Sequence, residues 1–170
     1  IKKASFILKI YLIITVFFKY IFNLFYLPKI KNLDHYSREN QNLFQKDLNY
    51  LCEYFNSDKG EKFKNQYAKP SKQDDKKIIA HGYAKIYEKY LKEHKEKNLN
   101  IIELGSFYGN ASAAFYFYFK NSQIYSADIN PDMYLYRSKR LYNFFTDTSS
   151  RSSIEKNILK KNIQFDLIIE

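Results

Sequence analysis

Four short apolar runs of strand length punctuate the second half of the chain: Ile101-Ile102-Glu103-Leu104, Gln123-Ile124-Tyr125-Ser126-Ala127, Tyr142-Asn143-Phe144-Phe145-Thr146 and Gln164-Phe165-Asp166-Leu167-Ile168-Ile169. Each closes on a glycine turn or an acid, at Gly105, Asp128, Asp147 and Glu170. Helical patterns lie between them. Ala113 to Phe119 is apolar on nearly every side, Pro131 to about Leu141 begins with a residue suited to a first turn, and Ser149 to Lys161 forms a third crossover. Strands alternating with helices predict an α/β fold, here a three-layer Rossmann-like parallel sheet ending after its fourth strand. Ahead of it, Leu43, Phe44, Leu48, Leu51, Tyr54 and Phe55 recur at steps of three and four, predicting one amphipathic helix over 32–56. Ser57 to Lys77 is charged and interrupted by Gly60 and Pro70, which predicts a mobile loop, and Ile78 to Lys97 is again helical in pattern. The expected division is 1–31, a basic apolar helix; 32–98, a helical N-terminal region; and 99–170, the sheet domain.

Residues 4–27 are almost wholly apolar, broken by Lys9, Lys19 and Asn23 and ended by Pro28. A spanning helix needs about 20 apolar residues, and the longest clean run here is only Ile10 to Phe18. On a helical wheel Lys2, Lys9, Lys19 and Asn23 share one narrow sector. That arrangement suits a helix lying in a membrane interface, its lysines reaching the lipid phosphates. A true span and a helix covered by other protein are the competing readings. No small-x-small cleavage site follows the run, which argues against a removed signal peptide. The expected location is therefore cytoplasmic and membrane-associated.

The chain has 170 residues and a net charge of +10, yet arginine occupies only positions 38, 137, 140 and 151. Nucleic-acid surfaces draw on arginine for bidentate contacts. A basic character carried by lysine, alongside abundant tyrosine and phenylalanine, points instead to compositional bias, and no nucleic-acid partner is expected. The single Cys52 excludes an internal disulfide and a cysteine metal cluster, and fits a reducing compartment.

Candidate chemistry gathers at Glu103-Leu104-Gly105-Ser106-Phe107-Tyr108-Gly109. A strand that breaks into a glycine turn and then a helix lets a ligand approach bare backbone. It also presents the helix N-terminus to anionic or hydrogen-bonding groups. Asp128 ends the next strand, at about the 20-residue spacing at which nucleotide-binding units place the carboxylate that holds a ribose. Taken singly, Glu103 reads equally well as a strand-end acid, Asp128 as a helix cap and Asp147 as a turn former; their order along the chain favours a common site. His81 is the candidate base, with Tyr83 beside it and Lys59 on a nearby loop.

At these residues the chain resembles the class I S-adenosylmethionine-dependent methyltransferases. Ile-Ile-Glu-Leu-Gly-Ser-Phe-Tyr-Gly, from Ile101 to Gly109, is similar to that family's first motif, with Phe107 where many members carry a middle glycine. Ser57-Asp58-Lys59-Gly60 followed by His81-Gly82-Tyr83 and Tyr87-Glu88 resembles a signature of bacterial enzymes that O-methylate the sugars of macrolides and other glycosides. The resemblance implies S-adenosylmethionine as cofactor. Glu103, Gly105, Ser106 and Gly109 would lie on its methionine side, Gly105, Ser106 and Gly109 approaching it through backbone groups. Asp128 and Ile129 would meet the ribose, and Asp147 and Thr148 the adenine. It also implies a divalent metal and a base supplied by residues after the fourth strand, beyond Glu170. Because the chain opens on Ile1 and stops at a strand end, it is expected to be an inactive piece of a longer enzyme. The acceptor would be a sugar or other small hydroxylated molecule. Alternatives are a nicotinamide-dependent oxidoreductase, disfavoured because the turn lacks the Gly-x-Gly-x-x-Gly register, and a non-catalytic membrane-attached binding module.

Overall fold

In the computed structural model, residues 10, 11, 13–18, 21, 29–64 and 80–170 are described, the last range without the side chain of Asp132. A four-stranded parallel sheet organises the molecule. Its strands are β2 (Asn100–Leu104), β3 (Gln123–Asp128), β5 (Leu141–Phe145) and β6 (Leu167–Ile169), in the spatial order β5-β3-β2-β6. These are the four predicted runs in the 3-2-1-4 order of a Rossmann-like sheet. Every pair is parallel, so Leu104, Asp128, Phe145 and Ile169 all end at one edge.

Pleating sends alternate residues to opposite faces. Ile101, Ile124, Leu141 and Ile169 pack on the face that carries α4 (Asn110–Tyr118) and the N-terminal helices. Ile102, Tyr125 and Ala127 pack on the other, against Ile154 and Ile158 of the segment built around α5 (Arg151–Asn157). The result is three layers. Helix α4 is buried from Ala111 to Tyr118, as its unbroken apolar pattern predicts. Its Ala-Ser-Ala-Ala start brings the first turns close to the sheet, and its aromatic end stacks into the N-terminal region, Phe117 lying 5.0 Å from Phe44 and 5.4 Å from Phe55 between ring centroids.

The N-terminal region departs from the single helix expected over 32–56. It forms α1 (Leu33–Glu39), a 3₁₀ turn over Gln41–Gln45 and α2 (Leu48–Tyr54). Short polar side chains make the breaks. Asn32 caps α1 by accepting from the N–H groups of Asp34 (3.0 Å) and His35 (3.3 Å), and Asp47 caps α2 by accepting from Tyr50 (2.7 Å). Of the segment expected to be helical over 78–97, α3 (Tyr83–Leu91) and a 3₁₀ turn over Lys92–His94 are described. Helix α3 starts at Gly82, whose φ is +69°.

The helix expected from Pro131 to Leu141 is also corrected. Pro131–Met133 makes one 3₁₀ turn and the chain then extends as β4 (Tyr136–Arg137), paired in parallel with β1 (Lys31–Asn32). The N–H of Leu135 donates to Tyr108, and that of Lys31 to the Leu135 carbonyl, so the backbone is committed elsewhere. The alternation of Tyr134, buried, with Leu135, and of Tyr136 with exposed Arg137, is a two-residue period favoured by aromatic residues in strands.

No helix among the described residues is long and apolar enough to cross a membrane. Most of 4–27, the 65–77 part of the expected loop and the first two residues of the helix expected over 78–97 lie outside the described residues.

Candidate functional site

Two neighbouring cavities at the carboxyl edge of the sheet share one residue, Gly105. The first, of ≈ 90 Å³, lies under the glycine turn and is walled by Asp58, Lys59, Glu103, Ser106 and Tyr108 among others. The second, of ≈ 160 Å³, is walled by Asp128, Ile129, Thr146, Asp147, Thr148 and Ser149. Parallel pairing accounts for this assembly, because the turn after β2, the acid ending β3 and the loop after β5 leave the same edge. Glu103, Gly105 and Ser106 thus fall around the first cavity, and Gly105, Asp128, Ile129, Asp147 and Thr148 around the second. Gly109 lines neither.

The turn is held differently from what bare glycines suggested. The N–H groups of Gly105 (2.8 Å) and Ser106 (3.2 Å) both donate to the Ala127 carbonyl, and that of Gly109 donates to Ser106 (2.7 Å). These donors are therefore not presented to a ligand, as the sequence reading had them. What the turn offers is open space and one hydroxyl. A Cβ built on Gly105, at φ +75°, would meet no atom within 4 Å. Ser106 is 5% exposed, and its Oγ has no hydrogen-bond partner, an uncommon state for a buried hydroxyl. Gly109 serves packing, since a Cβ there would collide with the Tyr134 ring. Phe107, where the resemblance leads one to look for glycine, has φ +46°, a left-handed conformation that costs a non-glycine residue about 1–2 kcal/mol.

Asp128 is 8% exposed; its Oδ2 accepts from the Phe107 N–H (2.7 Å) and its Oδ1 from Asn130 (2.8 Å). Each carboxylate oxygen keeps further lone-pair capacity. Asp147 Oδ1 accepts from the N–H (3.0 Å) and hydroxyl (2.6 Å) of Ser149. Both acids hold turns, and both face one cavity.

Beneath the turn runs a buried polar chain that residue spacing signals only weakly. Lys59 Nζ lies 3.4 Å from Glu103 Oε1, the Ser112 hydroxyl donates to Glu103 Oε2, and Ser126 Oγ is 2.7 Å from Ser112 Oγ and 2.6 Å from the Tyr134 hydroxyl. Register explains its location, for Glu103 pairs with Ser126 and both project toward α4 and its Ser112. The available signal was serine interrupting an apolar strand two residues after Ile124. Burial pushes the Glu103 carboxyl up, against the opposing pull of Lys59 and Ser112. Burial would pull the Lys59 ammonium down, but the Glu103 carboxylate outweighs it and leaves Lys59 raised.

His81 and Tyr83 line neither cavity. They stack on each other with ring centroids 5.1 Å apart, and His81 Nδ1 sits 3.4 Å from Asp58 Oδ2, at the rim of the first cavity. Backbone bonds from His81, Gly82 and Ala84 to Asp58, Gly60 and Lys59 tie the start of α3 to the Ser57–Gly60 turn. Tyr87, one turn further on, donates to the Glu170 carbonyl (3.0 Å) at the end of β6. No group of three or more His, Cys, Asp or Glu placed to hold a metal occurs among the described residues. Compared with models of known families and with curated proteins, the chain matches none.

Proposed function

We propose that the protein is an S-adenosylmethionine-dependent methyltransferase acting on the hydroxyl of a sugar or other small acceptor. The observation that carries this reading is the pair of cavities meeting at the bare Cα of Gly105, one walled by an ion pair and an orphaned hydroxyl, the other by two strand-end acids. The residues fit the cofactor on two counts: Ser106 Oγ lacks a partner, and the space a side chain at Gly105 would occupy is open. When bound, the cofactor supplies an electrophilic methyl on a sulfonium.

On this reading Asp128 accepts from neighbouring ribose hydroxyls with the lone pairs its turn leaves unused, while Asp147, Thr148 and Ile129 flank the base. Glu103 and Ser106 border the methionine end. His81, whose Nδ1 faces Asp58, would take the acceptor proton through Nε2. The donors agree, because S-adenosylmethionine has no phosphate to bind and the N–H groups of Gly105, Ser106 and Gly109 are committed to Ala127 and Ser106. The same commitment argues against a dinucleotide, whose pyrophosphate needs such donors. We include in the proposal a membrane-surface location for residues 4–27; Ile10, Tyr11, Ile13, Ile14, Val16, Phe17 and Phe18 there are exposed.

Thermal unfolding with added nucleosides tests the assignment, since a ligand that binds the folded state raises its midpoint. S-adenosylhomocysteine should raise it and NAD should not; the reverse result overturns the proposal.

A further inference from the structure

The cavity under the glycine turn contains more charge than a passive wall requires. Lys59 has a side chain only 11% exposed, and Glu103 is its one ion-pair partner among the described residues. An ammonium carries three N–H donors, so one carboxylate oxygen at 3.4 Å does not exhaust it. Beside it, Ser106 is 5% exposed and its Oγ is unpartnered. Asp58, whose side chain is 40% exposed and lies beside His81, lines the same cavity. A buried cation with spare donors, an unpaired hydroxyl and a carboxylate on one cavity match a ligand end that carries an anion and a cation two bonds apart.

We propose that Lys59 and Ser106 form a subsite for the carboxylate of an α-amino acid, with Asp58 accepting from its ammonium group. This rests on the adenosyl reading and assigns its methionyl end to residues contributed mainly by the Ser57–Gly60 turn, outside the sheet. Glu103 then acts as a positioning residue: its carboxylate holds the Lys59 ammonium at the cavity wall. The arrangement makes the cofactor pocket a joint product of the sheet and the N-terminal helical region, which α3 clamps to that turn through the Ala84 to Lys59 (2.8 Å) and His81 to Asp58 (2.7 Å) backbone bonds.

Calorimetric titration with two ligands separates this subsite from the rest. S-adenosylhomocysteine carries the amino-acid end, and methylthioadenosine has the same nucleoside without it. Lys59→Met should weaken S-adenosylhomocysteine by at least about tenfold, the loss expected for one charge-assisted contact, and methylthioadenosine by less than about twofold. Ser106→Ala, which leaves the buried ion pair intact, should weaken S-adenosylhomocysteine alone by about threefold, a neutral hydrogen bond being worth less. If Lys59→Met does not fold, Ser106→Ala decides. Equal losses for both ligands, or no loss for either, overturn the subsite. A wild-type protein that binds both ligands equally overturns it too and leaves the adenosyl reading standing. Binding of neither overturns both.

Discussion

Lys59 and Glu103 meet as a buried ion pair, Nζ to Oε1 at 3.4 Å, joining the turn after α2 to the last inward-facing position of β2. The contact fastens the helical region to the sheet at the edge where both cavities open. Removing one member leaves an uncompensated charge in a largely buried position. Glu103→Ala should therefore cost about 3–5 kcal/mol, and the double change Lys59→Met with Glu103→Leu distinctly less than that. Urea unfolding of the two variants gives the comparison.

The two turn glycines should fail in different ways. At Gly105 a methyl enters open space but sits at φ +75°, so Gly105→Ala should cost about 1–2 kcal/mol while filling the space where the cavities meet. Its signature is a folded protein with weakened nucleoside binding. At Gly109 the methyl collides with Tyr134, and Gly109→Ala should destabilise more. Tyr134→Ala should then cost less in the Gly109→Ala background than in the wild type, by the coupling expected of residues in contact.

Alkali should unfold the protein. Burial, with the Tyr54 hydroxyl and phenolate charge acting in the same direction, pushes Tyr36 up to about 12, and burial pushes Tyr136 up to about 12 from an ordinary 10.0; Tyr118 and Tyr134 are raised as well. A tyrosine raised in the folded state binds more protons there than in the unfolded chain, so stability falls as pH climbs from about 10 through the folded values. Lys59, also raised, loses its contribution in the same direction. Tyrosinate absorbance should appear together with loss of helical circular dichroism. Smooth ionisation with the fold intact would contradict the burial of these rings.

Much of this architecture was legible because strands of a parallel sheet buried on both faces read as compact apolar runs. Ile101 to Leu104 and Gln123 to Asp128 each became a strand with the predicted end. Less legible was anything decided by tertiary partners. One hydrogen bond from Leu135 to Tyr108 and the pairing of β4 with β1 overrode the helical start that Pro131 signals. Asn32 and Asp47 cut one amphipathic pattern into pieces because their side chains cap locally, a choice that hydrophobic spacing does not record. At the site, Asp128, which ends β3, and Asp147, two residues past the end of β5, were found from their place at strand ends. The link from Lys59 to Glu103 depended on a turn folding back across the sheet edge, which no local spacing announces.

Residues 1–29 are expected to bring the protein to anionic vesicles. Lysines beside an apolar segment contribute about 1 kcal/mol each near such a surface, so flotation should weaken as salt rises and disappear on deletion of 1–29, which spares β1. Equal flotation of the shortened chain would remove the membrane from the account.

The edge holding Gly105, Asp128 and Asp147 should bind an adenosyl group, and isothermal titration with S-adenosylhomocysteine reads this directly. The expected dissociation constant is on the order of micromolar, corresponding to about 8 kcal/mol, and Asp128→Ala should weaken binding while the protein stays folded. Absence of heat at millimolar ligand, or an affinity indifferent to Asp128, would contradict it.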